Sequence, residues 1–337
     1  MDIFVWLKPF DAIRVADIAA LGPDSLTDEA ILTTKADWIA VDWGTSNLRA
    51  WGIDASGDVV FSHTSPKGMG KLNREEYPAA LSEVVAGEAF TAASVDVLIC
   101  GMAGARQGWI EAPYLDAPAN LQALANGAVR PEIANAALRP AILPGVCQKT
   151  PGSENVMRGE ETQLLGLSVL IPDFDGVVCM PGTHSKWVAL SGARITRFAT
   201  AMTGELYEVL RTHSVLRHSL NGDLDGPDRE TGFDAGVDAG LARPDDLLGL
   251  LFSVRAGSLL SNRKPDWCAG YLSGLLIGSE IGGHRDWLSQ SEVPLIGATS
   301  LCGLYQTALN KVGAKTRLID ATEAVLAGLK AARQHAA

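Results

Sequence analysis

Asp42 closes an apolar run and leads at once into Gly44-Thr45-Ser46-Asn47, and far along the chain Gly182-Thr183 follows a second apolar run of the same shape. The stretches VDWGTSNLRAWGIDASGDVV (41–60) and VCMPGTHSKWVALSGARIT (178–196) each read as strand, Gly-Thr turn, strand and Ser-Gly turn, with Ser191-Gly192 answering Ser56-Gly57. After the first turn Leu48, Ala50 and Trp51 alternate with polar or small neighbours, so a strand follows and not a helix. Neither GxxxxGK[ST] nor GxGxxG occurs at this position, which removes the helix N-terminus as the phosphate holder. A hairpin turn can cradle a phosphate instead, through Gly backbone N–H groups and Thr, Ser and Asn side chains. Either turn alone also suits an ordinary hairpin. Two of them, about one domain apart, point to a nucleotide triphosphate held in a cleft between related halves.

Sheets must hold these turns. After the first hairpin the pattern predicts a third strand over 59–63, a helix over about 75–90, and a strand over 95–100 ending at Gly101-Met102-Ala103-Gly104. A Pro-rich stretch (113–118), two helical pieces and a strand over 141–146 lead to VMRGEETQLLGLSVL (156–170), which carries a helix. Its buried face is expected from Leu164, Leu165, Leu167, Val169 and Leu170. Gly159, Glu160, Glu161 and Thr162 fall in its first turn, where paired carboxylates suit the helix dipole as readily as chemistry. The second hairpin (177–199) is followed by a helix over 204–214, a loop over 221–232 and further helices. One of these, YLSGLLIGSEIGG (271–283), has the small residues that close packing needs. The strand over 293–299 breaks at Gly297, with Thr299 and Ser300 as hydroxyl caps of the next helix. Such a turn can meet a nucleoside or simply cap a helix. A strand over 316–320 and a last helix close the chain.

With 337 residues, 47% of them hydrophobic, the chain has material for two domains. The expected division is an extension of unknown role over 1–36, domains over 37–174 and 175–321, and a helix over 322–337 packing back on the first. A net charge of −11, from 28 basic and 39 acidic residues with no basic stripe, excludes nucleic acid and anionic membranes as expected partners. Five scattered cysteines without a CxxC pair read as reduced core residues of a cytoplasmic protein. No secretory leader or membrane span is expected.

Six stretches together now carry a resemblance: DWGTSNLRAW (42–51), GMAGARQGWIEAPY (101–114), NVMRGEETQLLG (155–166), MPGTHSKWV (180–188), YLSGLLIGSE (271–280) and GATSLCGLY (297–305). They are similar to the 2-dehydro-3-deoxygalactonokinase family, within the superfamily of actin, sugar kinases and Hsp70, over about residues 37–330. The resemblance implies an α/β fold of two ribonuclease-H-like, actin/hexokinase-type domains with a nucleotide cleft between them. It also implies ATP and Mg²⁺, and γ-phosphoryl transfer to the 6-hydroxyl of 2-dehydro-3-deoxy-D-galactonate, whose product goes to an aldolase in galactonate breakdown.

Under that resemblance Gly44, Thr45, Ser46 and Asn47 form the phosphate-1 segment, Gly182, Thr183 and His184 the phosphate-2 segment, and Gly297, Thr299 and Ser300 the adenosine segment. Asp42 is suited to Mg²⁺, since a hard cation prefers carboxylate oxygen and keeps much of its water, and its alternative is an Asp receiving turn N–H bonds. Arg49 would neutralise phosphate if its strand face points inward, and otherwise is a solvated strand residue. In related carbohydrate kinases an acidic residue follows a Gly shortly before phosphate-2, a place that lands on Glu160, with Glu161 the other choice. Kinases of the glycerol and xylulose type usually have Asp there, so Glu is a departure. A sugar acid needs a guanidinium with amide and ring donors, and Arg106, Gln107, Trp109, Tyr114, Arg158 and Glu161 offer that set. Trp109 and Tyr114 could equally cover a core edge, and His184 could be structural. Lys186 lies just beyond the second turn.

The expected partners are the sugar acid and MgATP, and a homo-oligomer is left open. A regulatory ATPase or sugar-responsive repressor on the same fold would need an attached domain that no stretch before 37 or after 320 supplies. A kinase for the gluconate epimer or another small sugar differs by only one or two hydrogen bonds. An exopolyphosphatase-like hydrolase would not need the cluster from Arg106 to Tyr114. Closure about the cleft would exclude water from the γ-phosphate.

Overall fold

The computed structural model describes residues 35–289 and 291–335, so the expected extension lies outside the described residues except for its last two. Three antiparallel strands begin the fold, β1 (Trp38–Trp43), β2 (Leu48–Ile53) and β3 (Val59–Ser65), followed by helix α1 (Tyr77–Val84) and strand β4 (Val95–Gly101). Five short strands come next: β5 (Tyr114–Asp116), β6 (Ala119–Asn120), β7 (Leu138–Ile142), β8 (Gly145–Gln148) and β9 (Asn155–Met157). Helix α2 (Glu160–Leu170) leads to a second antiparallel trio, β10 (Asp175–Met180), β11 (Ser185–Ser191) and β12 (Arg194–Ala201). Helices α3 (Thr203–His213), α4 (Arg229–Ala242), α5 (Leu247–Leu260) and α6 (Pro265–Gly283) precede β13 (Val293–Gly297), α7 (Thr299–Lys311), β14 (Thr316–Asp320) and α8 (Ala321–His335).

The first sheet has the order β3-β2-β1-β4-β7, and the second runs β12-β11-β10-β13-β14 with β6 added beyond β12. In both, the first strand of the unit pairs antiparallel with the second and parallel with the fourth. The duplication read from two hairpins therefore extends to whole sheets, as the pair of ribonuclease-H-like halves requires.

Alternation along the strands explains the layers. Trp38 and Ala40 of β1 join one core, whereas Ile39, Val41 and Trp43 join another with Tyr77 and Leu81 of α1. Likewise Val178 and Met180 of β10 face the first of these cores, and Val177 and Cys179 face the helices α4, α6 and α7. The shared core includes Leu164 and Leu165 of α2 and Ala324 and Leu329 of α8, so these two helices lie between the sheets. A strand covered on both faces reads as a continuous apolar run, as WIAVDW does.

Three local expectations need correction. The segment AILPGV is two strands in different sheets, because Pro144 has no N–H to continue a ladder. Val169 is 51% exposed and not part of the buried face of α2. Thr299 and Ser300 do not cap α7: the cap position is Ala298, which makes no side-chain bond, and both hydroxyl residues stand exposed in the first turn. Among the described residues, no helix is long and apolar enough to cross a membrane.

Candidate active site

The C-terminal ends of the parallel strands gather the site. Trp43 pairs with Gly101, and Gly297 with Asp320, so the chain leaves β1 and β4 together in one sheet and β13 and β14 together in the other.

The first turn is held from behind. Gly44 donates to Asn47 O at 2.9 Å, while the carbonyls of Gly44, Thr45 and Ser46 accept from Met69, Gly70 and Gly68 at 3.0, 2.8 and 3.2 Å. With its carbonyls occupied on that side, the turn can present N–H groups on the other, the arrangement an anion needs. A Cβ on Gly68 would overlap the Ser46-Asn47 backbone, so only glycine fits this support. Sequence reasoning missed the segment 68–70, whose only signal was its two glycines flanked by Lys67 and Lys71.

Asp42 is partly exposed, and its Oδ2 accepts from Arg49 Nη2 at 2.5 Å across the β1–β2 register. Arg49 points inward, and its Nη1 donates to Thr322 Oγ1 at 2.9 Å. The Thr322 N–H is itself held by Asp320 Oδ1 at 2.8 Å. A chain of polar contacts thus runs from the first turn to the head of α8.

Beside Asp42, Gly101 adopts a φ of +89°, and a Cβ there would stand 2.5 Å from Trp43 O and 3.4 Å from Asp42 Oδ1. Gly159, with a φ of +108°, brings the start of α2 against it, since an added Cβ would lie 3.3 Å from the Gly101 Cα. Glu160 and Glu161 follow, and successive helix residues point about 100° apart because a turn takes about 3.6 residues. Glu160 keeps 28% of its side chain exposed; its Oε2 accepts the Arg158 N–H at 3.0 Å, and its Oε1 lies 3.8 Å from Lys186 Nζ. Glu161 is fully buried, turned back onto the Gly159 N–H at 2.7 and 2.9 Å and the Thr162 hydroxyl at 3.3 Å. Burial first, and the Glu160 charge second, push its carboxyl up to about 8. Glu161 is therefore an interior group, a correction to its expected place in the substrate pocket.

The second turn rests on α3. A Cβ on Gly204 would stand 2.5 Å from Gly182 O and 2.8 Å from the Thr183 Cα, and the Glu205 N–H donates to Thr183 O at 3.0 Å. His184 is half-exposed and paired with the Glu205 carboxylate. Gly297 comes equally close, since a Cβ there would lie 2.8 Å from Pro181 O. Beside it a recess of ≈ 180 Å³ is lined by Leu295, Gly297, Thr299, Cys302, Leu318, Ile319 and Asp320. Ser300 is exposed and not among its lining residues.

The loop from Arg106 to Tyr114 divides. Arg106 and Gln107 are exposed, with the Arg106 and Gly108 carbonyls held by Arg74 at 2.8 and 3.2 Å. Trp109 is 6% exposed, packed against Trp43 and Tyr77 with ring centroids 6.2 and 6.1 Å away. It supports the loop from below and offers no pocket wall, a second correction. Tyr114 is exposed, and the Arg158 guanidinium carbon lies over its ring, 4.3 Å from the ring centroid. Arg158 Nη2 donates to Ala112 O at 2.8 Å, while Nε and Nη1 are buried with no hydrogen-bond partner among the described residues. Gly104 leaves the room for that guanidinium, since a Cβ there would stand 2.8 Å from Nη1.

Comparison with known proteins now adds to this geometry. The family model described as 2-keto-3-deoxy-galactonokinase matches residues 42–332. The chain belongs to this family. It is 40% identical over 302 residues to a protein of Rhizobium meliloti (strain 1021) described as a probable 2-dehydro-3-deoxygalactonokinase, covering 89% of this chain and 98% of the relative. It is 36% identical over 296 residues to the 2-dehydro-3-deoxygalactonokinase of Escherichia coli (strain K12), covering 88% and 97%. A crystal structure of a Sinorhizobium meliloti protein described as a putative 2-dehydro-3-deoxygalactonokinase superposes with a TM-score of 0.81 at 40% identity, covering 88% of this chain and 96% of that one.

For a galactonokinase-family chain, the cation that accompanies ATP needs few protein ligands. No group of three or more His, Cys, Asp or Glu able to hold a metal occurs among the described residues. Mg²⁺ is commonly held by one or two carboxylates with phosphate oxygens and water. Asp42, a partly exposed carboxylate at the end of β1 beside the first turn, fits that kind of site.

Behind the second turn lies a polar group that sequence reasoning did not single out. Glu280 of α6 is buried and accepts from Trp187 Nε1 at 2.7 Å, Tyr305 OH at 2.6 Å and the Thr203 hydroxyl. Tyr305 OH also meets Ser185 Oγ at 2.8 Å. Burial raises the Glu280 carboxyl above its usual range against the pull of its three donors. One carboxylate thus ties β11, α3 and α7 together.

Proposed function

We propose that this protein transfers the γ-phosphoryl group of ATP to the 6-hydroxyl of 2-dehydro-3-deoxy-D-galactonate, giving the 6-phosphate and ADP, as a cytoplasmic enzyme of galactonate breakdown. The family match across residues 42–332, which takes in both sheets and all the turns described above, carries this reading. Five buried, unpaired cysteines support a reducing compartment.

Phosphoryl transfer asks a protein mainly to align nucleophile and phosphorus and to balance charge. The turns at Gly44–Asn47 and Gly182–His184 hold the phosphates, and the recess beside Gly297 and Thr299 receives the nucleoside. Asp42 holds Mg²⁺, which supplies charge neutralisation at the phosphates when bound, and Arg49 fixes the Asp42 carboxylate. Glu160 takes the proton of the attacking hydroxyl, a step typically contributing about 10²- to 10⁴-fold. It is the partly exposed member of the pair, whereas Glu161 is buried. Arg158 pairs the substrate carboxylate, an assignment supported by its two unsatisfied guanidinium nitrogens. Arg106, Gln107 and Tyr114 line the outer pocket. The division into domains over 37–174 and 175–321 is supported by the two sheets, whose strands apart from β6 fall on either side of that boundary, and α2 and α8 lie in the core they share.

ADP release from MgATP, measured with 2-dehydro-3-deoxygalactonate, its gluconate epimer, glycerol and no acceptor, on wild type and Glu160→Gln, tests the reading. ADP dependent on the galactonate sugar and abolished in the variant is the expected result. Equal rates with no acceptor would replace the kinase by an ATPase. Preference for the epimer would move the substrate, and full activity of the variant would remove Glu160 as base.

A further inference from the structure

We propose that Lys186 is a catalytic residue whose ammonium bridges the Glu160 carboxylate and the oxygens of the transferring phosphoryl group. The proposal rests on the kinase reading above and adds a residue to it.

The strand decides where Lys186 points. Its neighbours Ser185 and Trp187 bond to Tyr305 and Glu280 in the helical layer of the second half. Successive strand residues face opposite sides, so Lys186 projects the other way, toward α2. In register it stands opposite Met180, the last residue before the Pro181-Gly182-Thr183 turn. It therefore rises from the mouth of the second phosphate turn and ends beside Glu160, which belongs to the first half.

A lysine so placed is costly unless it has work for its charge. Its side chain is 6% exposed, and an ammonium carries three donors. Among the described residues its one charged partner is Glu160 Oε1, at 3.8 Å, beyond a good hydrogen bond. Burial lowers its proton affinity and the Glu160 charge restores part of it. At least two donors are left without a hydrogen-bond partner among the described residues, beside Glu160 and just beyond the second turn. Phosphate oxygens satisfy those donors, and a buried cation there acts on charge that water would otherwise screen.

The step balances with Lys186 protonated throughout. The substrate hydroxyl proton passes to Glu160, the new O–Pγ bond forms, and the bond from Pγ to the bridging oxygen breaks with its electron pair leaving on ADP. Lys186 stays with the phosphoryl oxygens as the proton passes to Glu160.

Lys186→Met and Lys186→Arg are to be compared with wild type for kcat, KM of both substrates, and affinity for ADP and for a non-hydrolysable ATP analogue by calorimetry. The expected outcome for Lys186→Met is a kcat about 10²- to 10³-fold lower and a tenfold or greater loss of analogue affinity, with ADP affinity within about threefold. Lys186→Arg, which keeps charge and approximate length, recovers at least tenfold of the lost kcat and guards against simple misfolding. Unchanged kcat in Lys186→Met, or equal losses of ADP and analogue affinity, would overturn the proposal, the latter marking a merely structural pair. Glu160→Gln in parallel separates the two readings: if it stays active the base assignment fails whatever Lys186 does. If it is inactive while Lys186→Met is normal, only the Lys186 proposal fails.

Discussion

Gly166 of α2 and Gly328 of α8 meet backbone to backbone at the centre of the molecule. A Cβ on Gly166 would overlap the Ala324 carbonyl and stand 2.8 Å from Gly328 N, and one on Gly328 would overlap the Thr162 carbonyl. The crossing matters beyond packing, because α2 begins with Glu160 and α8 presents Thr322 to Arg49. Its geometry sets where the proposed base stands relative to the Asp42–Arg49 pair.

Substitution at this crossing has a definite sign. Alanine in a helix interior gains about 1 kcal/mol over glycine from propensity, but forcing a methyl into fixed backbone costs typically about 1–3 kcal/mol or more. Backbone atoms cannot swing aside as a side-chain tip can, so the second effect wins. Gly166→Ala and Gly328→Ala should each lower unfolding free energy in urea, with kcat reduced as the helices separate. Gly303 in α7 has nothing within 4 Å of an added Cβ, so Gly303→Ala should be neutral or stabilising by up to about 1 kcal/mol. A stable Gly328→Ala with unaltered activity would show that the helices slide freely.

Glu161 ties stability to pH. Its carboxyl is raised from 4.5 to about 8 in the folded chain, chiefly by burial. Between those values the folded state holds a proton that the unfolded chain has released, so stability present below pH 4.5 is lost as pH rises toward about 8. The slope is at most about 1.4 kcal/mol per pH unit for one proton. Urea unfolding at pH 5 and pH 8 should therefore show a loss on the order of 2–4 kcal/mol that Glu161→Gln greatly reduces. An unchanged slope in the variant would assign the linkage to other groups.

Glu280 should prove structural, with effects on the second turn transmitted through its partners. Glu280→Gln places an amide among the Trp187, Tyr305 and Thr203 donors, and a buried donor left without an acceptor costs about 1–3 kcal/mol. Thermal unfolding should show that loss. Kinetics should show a higher KM for ATP at a smaller cost in kcat, because Ser185 and Trp187 belong to β11, the strand that leaves the second Gly-Thr turn. A variant as stable as wild type would mean that the network reorganises around the amide.

Much of the framework was legible because its causes are local. Alternation of apolar residues and the Gly-Thr turns at 44–45 and 182–183 were enough to place two hairpins, and the strand order of both sheets repeats around them. Where expectation failed, the competing cause was also physical: Pro144 divided a strand that hydropathy alone had joined, and Ala298 took the cap position that Thr299 and Ser300 were expected to fill.

By itself, then, the sequence determined the duplicated strand-turn-strand units, the apolar strands that bury on two faces and the family to which the chain belongs. Those properties follow from backbone hydrogen bonding and side-chain periodicity, which act over a few residues. Tertiary structure alone decided which of two adjacent glutamates stays partly exposed, that Trp109 supports its loop from within, and that Lys186 of β11 ends 3.8 Å from Glu160 of α2. Each of these depends on how α2, carried by the close approaches of Gly159 to Gly101 and of Gly166 to Gly328, is rotated and seated between the two sheets. That rotation is the sum of contacts made by residues far apart in the chain, and no local spacing records it.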